Sequence, residues 1–130
     1  GVRSLDWALV GRWVGHFRRG RFMHDSIAAA APVRGERLLG WGFHYAVGLV
    51  FAALLFAAMG TAWTRNPTVL PCLAFGLLTV LVPWLVMQPA MGAGVAASRT
   101  PNPGQARLRS LATHSVFGFG LYVGAALAAL

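Results

Sequence analysis

The sequence has no lysine, only three acidic residues and a single cysteine. Each scarcity excludes something. With one thiol, Cys72, no internal disulfide forms, and there is no CxxC metal or redox motif. Cys72 sits in an apolar run and reads as a small buried hydrophobe. Asp6, Asp25 and Glu36 are too far apart in sequence to show a paired-carboxylate arrangement. No serine or cysteine nucleophile stands at a recognisable spacing from a histidine. Charged residues make up 11% of the chain, against about 25% in an ordinary soluble domain. Disorder is excluded as well, because 57% of the residues are hydrophobic.

What remains is an integral membrane protein, expected as one all-α domain over residues 1–130. A spanning helix needs about 20 predominantly apolar residues. Three stretches qualify, at 41–63, 68–88 and 111–130, each lying within a run without charge. Trp41 and Trp63 bracket the first span as interface aromatics do. Thr64-Arg65-Asn66-Pro67 forms a tight hairpin, with Pro67 suited to the first turn of the next helix. Within the second span, Pro71 belongs to the first turn, Pro83 frees the Thr79 carbonyl and kinks the helix, and Pro89 ends it. The freed carbonyl needs another partner in a membrane. Residues 105–110 supply a polar first turn leading into the third span.

The first forty residues carry most of the charge and do not read as a secretory signal. The chain opens on Gly1, so a fragment or processed product is expected. Ser4 is the expected N-cap of a short interfacial helix over 5–18, with Leu5, Leu9 and Trp13 on one side and Arg12, Arg18, Arg19 and Arg21 toward water or phosphate. A second helical piece is expected from Asp25 or Ser26 to Ala31.

All eleven basic residues are arginine and the net charge is +8. Seven arginines lie in residues 1–40, three in the loop 89–110, and one, Arg65, in the hairpin. Ten of eleven therefore fall on one side, which the positive-inside rule makes cytoplasmic. Anionic lipid headgroups, rather than nucleic acid, are the natural partner of arginines that flank apolar spans. A homo-oligomer or a larger membrane complex stays open.

The segments Gly35-Glu36-Arg37-Leu38-Leu39-Gly40-Trp41, His44-Tyr45, Gln88-Pro89, Ser98-Arg99-Thr100-Pro101 and His114 with Phe117-Gly118 resemble a family of small bacterial polytopic inner-membrane proteins, a domain of unknown function. The resemblance covers almost the whole chain. It implies one more hydrophobic helix upstream and no activity.

The topology gathers polar residues at one depth. His44, Tyr45, Gln88 and His114 all fall near the cytoplasmic ends of the spans, with His16, His24 and Glu36 in the adjoining segment. His44, Gly48, Ala52 and Leu55 share one helical face, and His114, Gly118, Leu121 and Ala125 share another. Four readings compete. The histidines tie helices together, as in a structural or accessory subunit. Or His44 and His114 ligate haem, or join His24 and Glu36 around a divalent metal, with Tyr45 or Gln88 in support. Or a histidine and Glu36 move a proton on a lipid-linked or phosphate-bearing substrate held by Arg99, Arg107 and Arg109. Or the group serves a quinone, a pigment or an ion pathway.

Gly92-Ala93-Gly94 matches neither phosphate-loop nor dinucleotide fingerprints and reads as an exit from a kinked helix rather than an anion nest. Glu36 beside Arg37 reads as an interfacial ion pair. The GxxxG step Gly120–Gly124 is expected to pack inside the bundle.

Overall fold

The computed structural model describes residues 5–130. Its architecture is all-helical: α1 spans Trp7–His16, α2 Glu36–Thr64, α3 Val69–Ala90 and α4 Pro103–Ala128. The last three are long and apolar enough to cross a membrane. They run in alternating directions. The starts of α2 and α4 and the end of α3 therefore share one end of the bundle, which carries every described arginine except Arg65.

α1 is capped by Asp6, whose carboxylate accepts the Ala8 N–H at 2.9 Å. The expected cap, Ser4, lies outside the described residues. The buried side of α1 is Val10, Gly11, Trp13 and His16, and Leu5 is exposed. The expected Leu5–Leu9–Trp13 face is therefore rotated, because the neighbour α1 meets is the start of α2. A Cβ on Gly11 would overlap the Glu36 carbonyl, and one on Gly40 would overlap the Trp7 carbonyl. Two bare backbones set this crossing. Trp13, Val10, Ile27, Ala90 and Met91 form the core beneath it. Where a second helix was expected after Asp25, a single 3-10 turn, Ile27–Ala29, appears. The segment is held to the end of α3 by His24 N–H to Ala90 C=O at 2.8 Å and Ile27 N–H to Met91 C=O at 3.0 Å.

Two of the long helices are irregular. α2 breaks at Gly60, whose φ of 77° only glycine adopts easily. In α3, Pro67 precedes the Thr68 cap, and Pro71 falls in the first turn as expected. The carbonyl freed by Pro83 accepts Val82 N–H at 3.1 Å, so a tightened turn supplies the missing partner. The helix then widens into a π turn over Pro83–Met87, with Gln88 N–H reaching the Pro83 carbonyl. It runs through Pro89 to Ala90 rather than ending at Pro89. α4 begins earlier than the apolar run, at Pro103, capped by Asn102.

α3 packs along α4, whereas α2 touches α4 at only a few points. A Cβ on Gly76 would come 2.6 Å from the Gly118 Cα, and one on Gly118 would come 2.6 Å from the Cys72 carbonyl. Small residues let helices approach closely where no hydrophobic effect drives them together. Gly120 and Gly124 play no such part: nothing lies within 4 Å of where their Cβ atoms would be. The close-packing glycine of α4 is Gly118.

Candidate functional site

The polar residues expected to gather at the arginine-rich end fall into separate groups. The first is a clamp. The Arg12 guanidinium donates to both Glu36 oxygens at 2.9 Å, and to the carbonyls of Ala28 and Ala30 at 3.1 and 3.2 Å. Glu36 also accepts the Val33 N–H at 3.0 Å. The hydrogen bond to Glu36 holds the Arg12 guanidinium above its ordinary value. Arg12 was expected to face water and Glu36 to pair with Arg37. Both expectations are corrected, because the glycine-lined crossing brings Arg12 directly over the first turn of α2.

A pair of buried histidines forms the second group. The His16 and His24 rings meet edge to face with centroids 5.0 Å apart. His16 Nε2 lies 2.9 Å from the Ala31 carbonyl. A carbonyl only accepts, so that nitrogen carries a proton. Both His16 Nδ1 and His24 Nε2 are buried without a hydrogen-bond partner. Burial, then the neighbouring His16 and Arg21, push the His24 ring below its ordinary value.

His44 and His114, the centre of the expected site, come within electrostatic reach of each other but have different partners. The His44 ring lies against Trp7 at a tilt of 38°, centroids 4.2 Å apart, and neighbours Trp41 and Tyr45. Tyr45 is 65% exposed and hydrogen-bonds nothing at the site. Thr79 Oγ1 donates to the Gly76 carbonyl at 2.6 Å, so it accepts from His114 Nδ1 at 2.9 Å. That relay fixes the His114 tautomer and leaves Nε2 as the acceptor nitrogen.

His24 is therefore with His16, and Glu36 with Arg12, rather than beside His44 and His114. Among the described residues no three His, Cys, Asp or Glu side chains cluster as a metal ion needs. The three arginines expected to hold a headgroup also separate in role. Arg107 Nε donates to the Ala96 carbonyl at 2.8 Å, bracing a turn in which Ala96 and Ala97 both adopt positive φ. Arg99 donates its backbone N–H to Ala93. Arg109 makes a contact of its own.

Two further polar atoms stand apart from these groups. Trp84 Nε1 and Gln88 Oε1 are both buried with no hydrogen-bond partner, one turn apart on the π-widened part of α3. Gln88 was expected among the ligand-binding residues around the histidines, whereas nothing in the spacing singled out Trp84. The available signal was Pro83: a proline-disturbed helix changes the direction of the side chains that follow it.

The profile of the family described as "Protein of unknown function (DUF2938)" matches residues 1–128, and the chain belongs to that family. No curated protein and no solved structure matches it.

Proposed function

We propose that this DUF2938 protein is a multi-pass protein of the bacterial cytoplasmic membrane that holds a small neutral hydrogen-bonding ligand at the cytoplasmic end of its three long helices. The arginine distribution supports the orientation. The ligand reading rests on one observation, the unpartnered Trp84 N–H and Gln88 C=O on the π turn. One is a donor and the other an acceptor. A molecule with an apolar body and a head bearing a carbonyl and a hydroxyl or amide, of quinone or neutral lipid type, satisfies both. Each buried polar group left unpaired costs about 1–3 kcal/mol, so an occupied and an empty site behave differently on mutation.

A structural-subunit reading is favoured by a different observation: His114 ties α4 to α3 through Thr79, and His44 ties α2 to α1 through Trp7. One experiment separates the two. The protein is extracted with its native lipid annulus, and its small molecules are identified by mass spectrometry. The ligand reading expects a stoichiometric neutral molecule, depleted about tenfold, a loss of about 1.4 kcal/mol in binding, in Trp84→Phe and Gln88→Leu. The reading fails if only bulk lipid is retained while both variants melt higher than the parent, because apolar replacements then simply remove unsatisfied groups. An optical spectrum and metal analysis of the same sample tests haem and divalent metal. A chromophore or metal lost in His44→Ala and His114→Ala would replace the ligand proposed here.

A further inference from the structure

Between the end of α1 and the irregular segment before α2 lies a cleft of about 360 Å³. Arg18, Arg19 and Arg34 line it, and His16 contributes to its wall. None of the three guanidinium groups has a hydrogen-bond or ion-pair partner among the described residues. The nearest carboxylate in sequence to Arg34, Glu36, is already committed to Arg12 and Val33. Three uncompensated cations around one concavity favour an anion, and guanidinium groups match phosphate oxygens in geometry and charge.

His16 closes the wall with a side chain that is 2% exposed, its Nε2 spent on Ala31 and its Nδ1 buried, so the arginines supply the recognition. The volume leaves room for more than the phosphate itself, since ligand clefts begin at about 300 Å³ and a lone phosphate fills only a small part of this one. Phe22 and Met23 are exposed next to Arg21, on the same segment. Apolar and basic side chains interleaved in this way suit a membrane interface.

We infer that this cleft binds a phosphate ester, either the headgroup of an anionic glycerophospholipid or a free polyol phosphate. The site is separate from Trp84 and Gln88 and does not depend on them.

The test uses the full chain in phosphatidylcholine nanodiscs. Retention of added phosphatidylglycerol is read by native mass spectrometry, and binding of free glycerol phosphate by calorimetry. Two variants remove the cleft charge, Arg18→Gln with Arg19→Gln, and Arg34→Gln. Arg37→Gln is the control, exposed and outside the cleft. Preferential phosphatidylglycerol retention, weakened about tenfold by either cleft variant and unchanged by the control, supports the site with lipid as its source. Glycerol phosphate binding with the same sensitivity supports it with a soluble source. Retention of phosphatidylglycerol no better than of phosphatidylcholine together with no binding of glycerol phosphate, or an equal loss in Arg37→Gln, overturns the assignment.

Discussion

Two glycine crossings organise this molecule, and they are locked in different ways. Where α1 meets α2, Gly11 and Gly40 bring the backbones together, and a charged pair, Arg12 with Glu36, closes the contact. Where α3 meets α4, Gly76 and Gly118 do the same, and a neutral relay from His114 through Thr79 to the Gly76 carbonyl closes it. The backbone solution is shared; the polar lock follows the surroundings. The charged lock sits at the arginine-rich end, its side chains 13% and 18% exposed, where water and backbone carbonyls help solvate it. The second lies midway along two apolar helices, where a charge is expensive and a neutral hydrogen bond is not. The comparison teaches that glycine fixes how close two helices come, while the medium decides what chemistry may hold them there.

The strongest way to break the comparison is to give each crossing a side chain. Overpacking ordinarily costs about 1–3 kcal/mol, but here the obstacle is backbone, which no rotamer change relieves. Gly40→Leu and Gly118→Leu should each exceed that range, with different outcomes. Gly118→Leu should abolish the cooperative melting of the purified protein, because α3 and α4 make its most extensive pairing of long helices. Gly40→Leu should leave that transition and release α1, seen as rapid tryptic cleavage after Arg12, a bond protected while Arg12 is clamped. Identical behaviour in the two variants would mean that the crossings are one cooperative unit.

The locks themselves should differ in size. Glu36→Gln strands a largely buried guanidinium and should cost about 3 kcal/mol of α1 docking, near the lower end for breaking a buried pair. Thr79→Val removes one neutral interhelical bond and should cost about 1 kcal/mol, the scale measured for such bonds in membranes. Arg12→Met combined with Glu36→Leu should recover much of the first loss, because both charges then leave together. Chemical denaturation of the four proteins in one detergent gives the comparison directly. A Thr79→Val loss as large as that of Glu36→Gln would remove the distinction between the media.

The elements were legible in the sequence because length and apolarity decide them. Three uncharged runs became three long helices, and the inward face through Gly118 and Ala125 followed from helical spacing alone. The break at Gly60 was not legible, since a glycine inside a span usually stays helical and nothing nearby marks this one. Nor was the Arg12–Glu36 clamp. Its partners are 24 residues apart, and only the approach permitted by Gly11 and Gly40 makes them neighbours. The polar residues were seen to collect at one end, but their grouping depends on tertiary directions that spacing does not encode. Proximity along the membrane normal suggested one site built on His44 and His114. The structure instead distributes those residues among a clamp, a histidine pair and a relay, and leaves Trp84 and Gln88 as the unpaired polar groups of α3.

The smallest expected effect sharpens the comparison from the aqueous side. His24 lies in the layer that docks against the end of α3, 7% exposed, with its backbone N–H bonded to Ala90. Its ring is held below the ordinary value by burial, with His16 and Arg21 adding to the effect. In the released segment the ring titrates near 6.5. Between the two values the released form binds a proton that the docked form refuses. Docking is therefore at full strength above about pH 6.5 and weakens as the pH falls toward the lower, docked-state value. One group contributes at most about 1.4 kcal/mol per pH unit. Tryptic cleavage after Arg12 occurs outside the acid range of interest, so a protease active at both pH 8 and pH 5.5 is the better reporter of release. Cleavage within residues 17–35 should rise several-fold at the lower pH. His24→Phe keeps the Ala90 bond, which is backbone, and should flatten the profile. A profile that persists in His24→Phe would move the acid sensitivity elsewhere in the layer, with His16 across the shared ring contact as the next residue to replace.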